Sequence, residues 1–119
     1  MRPALVGLCA WAIGVSLFRP PMVQAQSADE IVDVITTAAG TYGVSGARLL
    51  AVARCESRLN PSAVGRAGER GLFQLHPRGL LPDFYARGYS DPMNAWESAD
   101  YAASAFARGL ASHWTCARR

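Results

Sequence analysis

The stretch from Arg54 to Pro77 constrains the fold of this chain more than any other part of it. It begins inside an apolar run that includes Leu49 and Val52, and it carries one acidic residue, Glu56, near the point where that run ends. Asn60 precedes a proline, which stops a helix because the residue before proline is sterically excluded from the helical region. Three glycines and a short apolar segment follow. The pattern therefore predicts a buried helix whose last turn presents a carboxyl group to a glycine-rich turn.

The predicted position of Glu56 suits a general acid. A carboxyl group that is partly removed from water is disfavoured mainly in its charged form, so its pKa rises. The negative end of the helix dipole acts in the same direction. A raised pKa keeps the group protonated closer to neutral pH, as proton donation to a leaving group requires. The position alone makes Glu56 a plausible general acid, with an ordinary surface glutamate at a helix end as the alternative.

The same stretch resembles the signature of the lytic transglycosylases of the soluble-lytic-transglycosylase (SLT) type, which belong to the lysozyme-like superfamily and cleave bacterial peptidoglycan. The residues that match this signature in register, without an insertion, are Glu56, Ser57, Leu59, Asn60, Pro61, Ala63, Gly68, Gly71, Leu72, Phe73, Gln74, Leu75 and Pro77. The resemblance covers about residues 44–108. It implies a small, mainly α-helical domain of the α+β lysozyme-like class, in which a short loop or hairpin forms one wall of the active-site cleft.

Two positions depart from the signature. Gly65 stands where the family usually has serine, so any polar contact from that hydroxyl is missing. Glu69 replaces a small residue and brings an unexpected carboxylate near the site. The A-Y-N-A-G segment through which full-length relatives contribute a tyrosine to the cleft is also absent, and Trp114 and Tyr101 are candidates to replace that tyrosine.

The resemblance also implies roles for individual residues. Glu56 would be the catalytic acid and base. The residues expected to contact the substrate are Ser57, Glu69, Gln74 and Tyr101. Two alternatives stay open, since Gln74 could be a structural hydrogen-bonding residue and Tyr101 could be a partly buried core residue.

The first 25 residues have the pattern of a secretion signal. Arg2 gives a positive start, residues 4–18 are almost wholly apolar, and Val23-Gln24-Ala25 offers small residues before a cut. The apolar run is shorter than the roughly 20 residues of a membrane-spanning helix, so we expect cleavage rather than the alternative, a retained anchor. Residues 26–119 would then form the lysozyme-like domain, secreted or periplasmic and cell-wall associated, without stable membrane association.

The charge of the expected mature chain argues against a nucleic-acid partner. The whole sequence has a net charge of +3, but two of its twelve basic residues lie in the expected signal. Ten arginines against nine acids leave +1, without the clustered basic face that nucleic-acid binding needs. The expected partner is the glycan strand of peptidoglycan, bound by a monomer that uses no cofactor and no metal.

The cysteines fit an exported protein. Removal of the signal removes Cys9 and leaves the pair Cys55 and Cys116. In an oxidising compartment we expect these two to form a disulfide that ties the catalytic helix to the C-terminal segment. A zinc site that adds His76 and His113 to the two cysteines is an alternative, but the spacings match no compact zinc finger.

Two helices are expected before the motif. Ser27 begins a capping-box pattern for the first helix, and the apolar periodicity that follows is expected to stop at Gly40. Ser45 is the expected cap of the second helix, which runs to about Ser57. Its inward-facing residues should be Leu49, Val52 and Ala53, with Leu50 at a margin.

The remainder of the domain is expected to be a loop followed by two further helices. Residues 60–71 contain too many glycines and turn formers for a helix, which indicates a loop or small hairpin. A short helix is predicted around residues 83–87, and Asp91-Pro92 is expected to open the last helix. The apolar stripe of that helix comprises Ala95, Ala99, Ala102, Ala103, Phe106 and Leu110. Trp114, near a cysteine of the expected disulfide, predicts a packed tail.

Lytic transglycosylation is the function that the resemblance implies. Glu56 would protonate the oxygen of the β-1,4 bond between N-acetylmuramic acid and N-acetylglucosamine, and the substrate's own 2-acetamido group would stabilise the positive anomeric carbon. The carboxylate would then deprotonate the muramic C6 hydroxyl, closing a 1,6-anhydro ring. Two alternatives remain: a hydrolytic muramidase in which Glu69 positions a water, and a non-catalytic protein for cell-wall binding or assembly.

Overall fold

The structure is a computed structural model that describes residues 26–119, so the predicted signal lies outside the described residues. The α-helices in the described range are α1 (Ala28–Tyr42), α2 (Gly46–Ser57), α3 (Leu81–Ala86) and α4 (Ala95–Ala107). Two 3-10 turns, Ala111–His113 and Thr115–Arg118, complete the tail. This confirms a mainly α-helical domain. Within residues 26–119, no helix combines the length and the apolar character needed to cross a membrane.

Helix α1 begins as predicted and ends later than predicted. The Ser27 hydroxyl accepts a hydrogen bond from the Glu30 N–H, and the Glu30 carboxylate accepts one from the Ser27 N–H. The helix passes through Gly40 and ends at Gly43, whose backbone is left-handed with φ 67°. A left-handed C-terminal cap satisfies the last helical carbonyls and favours glycine, so the glycine that stops α1 is Gly43.

Helix α2 has the predicted bounds. The Ser45 hydroxyl accepts a hydrogen bond from the Arg48 N–H, and the helix ends at Ser57. Leu50 is half-buried, as expected for a residue at the margin. The helix packs against α1 and against the second 3-10 turn of the tail. The apolar residues that it buries are those predicted, Leu49, Val52 and Ala53.

Helix α4 packs against α1. It buries residues beyond the one apolar stripe that the sequence predicts. Its buried residues are Ala95, Ser98, Ala99, Tyr101, Ala102, Ala103 and Ala105. The prediction that Asp91-Pro92 opens this helix was wrong. Asn94 is the cap, with its side-chain oxygen accepting from the Glu97 N–H at 3.0 Å, whereas Asp91 accepts from the Met93 N–H in the preceding turn. Both side chains are good caps, and the chain uses them in succession.

The glycine-rich stretch forms a hairpin-like loop, as predicted. Isolated antiparallel bridges join Val64 to Arg70 and Arg70 to Leu75. Gly71 has φ 82°, and a Cβ there would overlap the carbonyl oxygen of Pro92. This close approach requires glycine at position 71 and packs the loop against the segment that leads into α4.

A disulfide and a buried hydrogen bond help to attach the tail to the domain. Cys55 and Cys116 form the predicted disulfide, so the alternative zinc site loses two of its four ligands. Trp114 is 3% exposed, and its indole N–H donates to the Phe73 carbonyl oxygen at 2.8 Å. The tail is therefore linked covalently to α2 and by a buried hydrogen bond to the loop.

Candidate active site

A cleft of about 310 Å³ opens at the C-terminal end of α2. Glu56 reaches it from that helix. One side is formed by the segment after the helix, and the opposite side is formed by the tail. The residues lining the cleft are Glu56, Glu69, Gln74, His76, Gly79, His113, Trp114 and Thr115.

The Glu56 carboxyl is half-buried in the last turn of α2. Its Oε2 accepts a hydrogen bond from the Cys116 N–H at 3.4 Å. Burial raises the pKa of the Glu56 carboxyl, and the negative charge of Glu69 adds to the rise. The Cys116 N–H and the positive charge of Arg119 pull the pKa down, but burial is the largest influence and the net shift is upward. The site therefore presents a carboxyl group suited to donating a proton into the cleft.

Gln74 is held by two backbone carbonyls. Its side-chain amide N–H groups donate to the carbonyl oxygens of Ala63 and Gly71, each at 3.1 Å. The backbone of Gln74 is left-handed, with φ 49°, which costs energy in a residue other than glycine. The two hydrogen bonds orient the amide, leaving its oxygen as an acceptor at the cleft.

A family model described as Transglycosylase SLT domain matches residues 33–113. The matched span includes Glu56, the loop wall and His113 of the tail. The chain belongs to this family. Membership supports peptidoglycan transglycosylase-type activity in general, with peptidoglycan as the substrate. No curated protein and no solved structure matched the chain.

This SLT domain brings some of the predicted site residues to the cleft and places others elsewhere. Glu56, Glu69 and Gln74 all line the cleft. Ser57 does not, because its side chain is buried and its hydroxyl donates to the Ala53 carbonyl oxygen at 3.1 Å. That bond to the preceding helical turn satisfies the hydroxyl within α2, so Ser57 lies in the helix packing rather than at the substrate surface.

Tyr101 also lies away from the cleft. It is 0% exposed, and its hydroxyl donates to Asp83 at 2.7 Å. Burial raises the pKa of the Tyr101 hydroxyl, and the Asp83 carboxylate raises it further. The side of α4 that carries this tyrosine is covered by Phe84 and Tyr89, with ring centroids 5.4 and 5.8 Å away. In this SLT domain Tyr101 is therefore a core residue, the second of the two interpretations considered for it.

The tail supplies parts of the site that the sequence motif did not indicate. His113 and Thr115 line the cleft, and the backbone N–H of Cys116 reaches Glu56. The closeness of Trp114 to Cys116 was the sequence signal for a packed tail. The contact from the Cys116 backbone N–H could not be predicted, because a backbone amide is common to almost all residue types. Trp114 itself packs against Phe106 at 5.2 Å between ring centroids, so it closes the cleft as part of the core.

Proposed function

We propose that this SLT domain is a peptidoglycan lytic transglycosylase in which Glu56 acts first as the acid and then as the base. The observation that carries the proposal is the half-buried Glu56 carboxyl, which opens into a cleft between the loop and the tail and has a raised pKa. Family membership supports the substrate class.

In the first step, Glu56 gives its proton to the glycosidic oxygen between N-acetylmuramic acid and N-acetylglucosamine. The bond from the anomeric carbon to that oxygen breaks, and the N-acetylglucosamine end leaves with a neutral hydroxyl. The 2-acetamido oxygen of the muramic residue stabilises the positive anomeric carbon. A pKa above that of an ordinary glutamate increases the fraction of Glu56 that is ready to donate.

In the second step, the Glu56 carboxylate removes the proton of the muramic C6 hydroxyl. The C6 oxygen bonds to the anomeric carbon and closes the 1,6-anhydro ring. Glu56 regains its proton, so the enzyme returns to its starting state and no water is consumed. The N–H of Cys116, which donates to Oε2, stabilises the carboxylate between the two steps.

Hydrolysis is the second candidate, and one observation favours it. Glu69 lines the same cleft as Glu56 and is near enough to influence its pKa. Glycosidases that use water commonly employ two carboxyl groups, one to protonate the leaving group and one to activate the water. In that case Glu69 would position the water, and the product would be a reducing sugar.

We also propose that the domain acts outside the cytoplasm, secreted or in the periplasm and associated with the cell wall. The signal-like pattern of residues 1–25 supports this location. The disulfide between Cys55 and Cys116 supports it as well, because disulfides persist in oxidising compartments.

Digestion of purified peptidoglycan tests the reaction. Mass spectrometry should find anhydromuropeptides, each lighter by one water than its hydrolysed counterpart. Glu56→Gln should abolish fragment release while leaving the melting temperature and wall binding unchanged. Glu30→Gln is the matched control, since Glu30 is exposed on α1 and glutamine also completes a capping box.

Each other outcome has a defined meaning. Full activity of Glu56→Gln would rule out the proposed role of Glu56. Hydrolysed fragments from the wild type would identify a muramidase. Wall binding without any released fragment, unaffected by Glu56→Gln, would identify a non-catalytic wall-binding protein.

A further inference from the structure

The two departures from the family signature meet at one point in the cleft wall. A Cβ placed on Gly65 would lie 2.7 Å from the Gln74 side-chain oxygen and 2.8 Å from the Glu69 carboxyl carbon. Contacts this short do not occur without displacement of one of the groups. A side chain at position 65 is therefore incompatible with the present positions of the Gln74 oxygen and the Glu69 carboxyl, and the glycine allows both to pack there.

The Glu69 carboxylate is held in this position by the turn itself. Its Oε1 accepts a hydrogen bond from the Ala67 N–H at 2.7 Å. The backbone closes the same turn, because the Gly65 N–H donates to the Glu69 carbonyl oxygen at 2.8 Å. Glu69 is half-buried and lines the cleft. These contacts therefore fix the position of the Glu69 carboxylate before a ligand binds.

Two acceptors pack beside Gly65 at the cleft. Gln74 uses both amide hydrogens on backbone carbonyls, so only its oxygen is left to accept a further hydrogen bond. The Gln74 oxygen and the Glu69 Oε1 are near each other, since both lie within 2.9 Å of the position that a Cβ on Gly65 would occupy. Neither a carboxylate nor an amide oxygen can donate, so a ligand in the cleft that bonds to both must supply the hydrogen. Hydroxyl and acetamido N–H groups of a glycan are donors of this kind.

We propose that Glu69 is a specificity-determining residue, which together with the Gln74 oxygen accepts a hydrogen bond from a hydroxyl or acetamido N–H of a glycan bound in the cleft that both residues line. The identity of the ligand rests on the proposed function. This arrangement requires glycine at position 65, because a Cβ there would displace the Gln74 oxygen or the Glu69 carboxylate.

Kinetics on a soluble tetrasaccharide of alternating N-acetylglucosamine and N-acetylmuramic acid test this inference. Glu69→Ala should raise KM by about 10- to 100-fold, the range for loss of a hydrogen bond to a charged group, with a smaller change in kcat. Glu69→Gln has nearly the same shape and retains a neutral acceptor, so its KM should lie between those of Glu69→Ala and the wild type. Asp33→Asn, an exposed charge removal on α1, should leave KM unchanged.

A double-mutant cycle tests the dependence of Glu69 on the glycine. Gly65→Ser should raise KM at least as much as Glu69→Ala, because the new Cβ meets both the Glu69 carboxyl and the Gln74 oxygen. Gly65→Ser combined with Glu69→Ala should raise KM no further than Gly65→Ser alone, since the serine has already displaced the carboxylate. Multiplicative effects of the two substitutions would overturn the coupling.

Binding measured in the Glu56→Gln background separates this inference from the proposed reaction. Isothermal titration of the tetrasaccharide should show the same weakening by Glu69→Ala whether or not the wild type releases anhydro products. Unchanged affinity and unchanged KM in Glu69→Ala would overturn the inference and leave the reaction intact. Loss of kcat with unchanged affinity would also overturn it, because Glu69 would then act on the reaction rather than on glycan binding.

Discussion

Removal of the disulfide between Cys55 and Cys116 tests both the stability of the domain and the arrangement of its candidate active site. The bond spans a sequence separation of 61 residues. For a loop of this length, the loss of chain entropy in the unfolded state corresponds to about 4 kcal/mol. The total stability of a small domain is about 5–15 kcal/mol, so this one bond supplies a large share of it.

The double substitution Cys55→Ala, Cys116→Ala should therefore lower the melting temperature steeply. One kcal/mol shifts Tm by about 4–8 °C in a domain of this size, so the expected decrease is roughly 15–30 °C. Activity should fall as well, even where the variant is still folded. The tail forms one side of the cleft, and its Cys116 N–H donates a hydrogen bond to Glu56. Loss of that hydrogen bond alone should lower the rate of fragment release about tenfold or more.

Calorimetry with and without a reducing agent measures the first effect, and fragment release at a temperature well below Tm measures the second. The reducing agent should leave the Tm of the double variant unchanged, which separates cleavage of this bond from other effects of the reagent. The reasoning is refuted if thiol titration shows full reduction of the wild type while its melting curve and activity stay the same.

Three further measurements follow from the structure. The kcat/KM should fall with rising pH, with a midpoint above the ordinary glutamate pKa of about 4.3, because the proposed first step uses protonated Glu56 and the pKa of that carboxyl is raised. Gly71→Ala should cost about 2–4 kcal/mol, since the added Cβ meets the Pro92 carbonyl as well as a left-handed backbone, whereas Gly88→Ala at φ 97° meets open space and should cost only about 1–2 kcal/mol. Asp83→Ala should cost about 1–3 kcal/mol at neutral pH because a core tyrosine hydroxyl loses its acceptor. The pKa of Asp83 is lowered in the folded state by that hydroxyl and by a neighbouring arginine. The contribution of Asp83 to stability is therefore present above pH about 4 and is lost as the pH falls through its folded-state pKa. The melting curves of the wild type and of Asp83→Ala should converge in acid.

Features that depend on neighbouring residues were predictable from the sequence. The caps of α1 and α2 at Ser27 and Ser45 follow from side chains that reach a backbone N–H three residues on. The placement of Glu56 at the end of an apolar helix before a glycine-rich loop follows from the motif, and so does the approach of Gln74 to the same cleft.

Choices between equivalent local signals were not predictable. Gly40 and Gly43 are both glycines near the end of α1, and the left-handed cap falls at Gly43. Asp91 and Asn94 are likewise both good caps. Local chemistry permits either member of each pair, so the residue pattern alone does not select between them.

Features that depend on tertiary packing could not be predicted from the residue pattern. Tyr101 lies at the edge of the alanine stripe of α4, and its burial depends on Phe84 and Tyr89 covering a second side of the helix. The hydrogen bond from Cys116 to Glu56 comes from a backbone amide, which every residue except proline possesses. Side-chain identity cannot reveal such a contact.

The residue that donates to Glu56 lies 60 positions further along the chain. Fragment release therefore reports on the attachment of the tail, because a molecule in which α1 and α2 are docked and the tail is not lacks one side of the cleft. In refolding of the reduced chain, followed by circular dichroism alongside wall digestion, activity should return in step with pairing of the two sulfur atoms and no earlier than helicity.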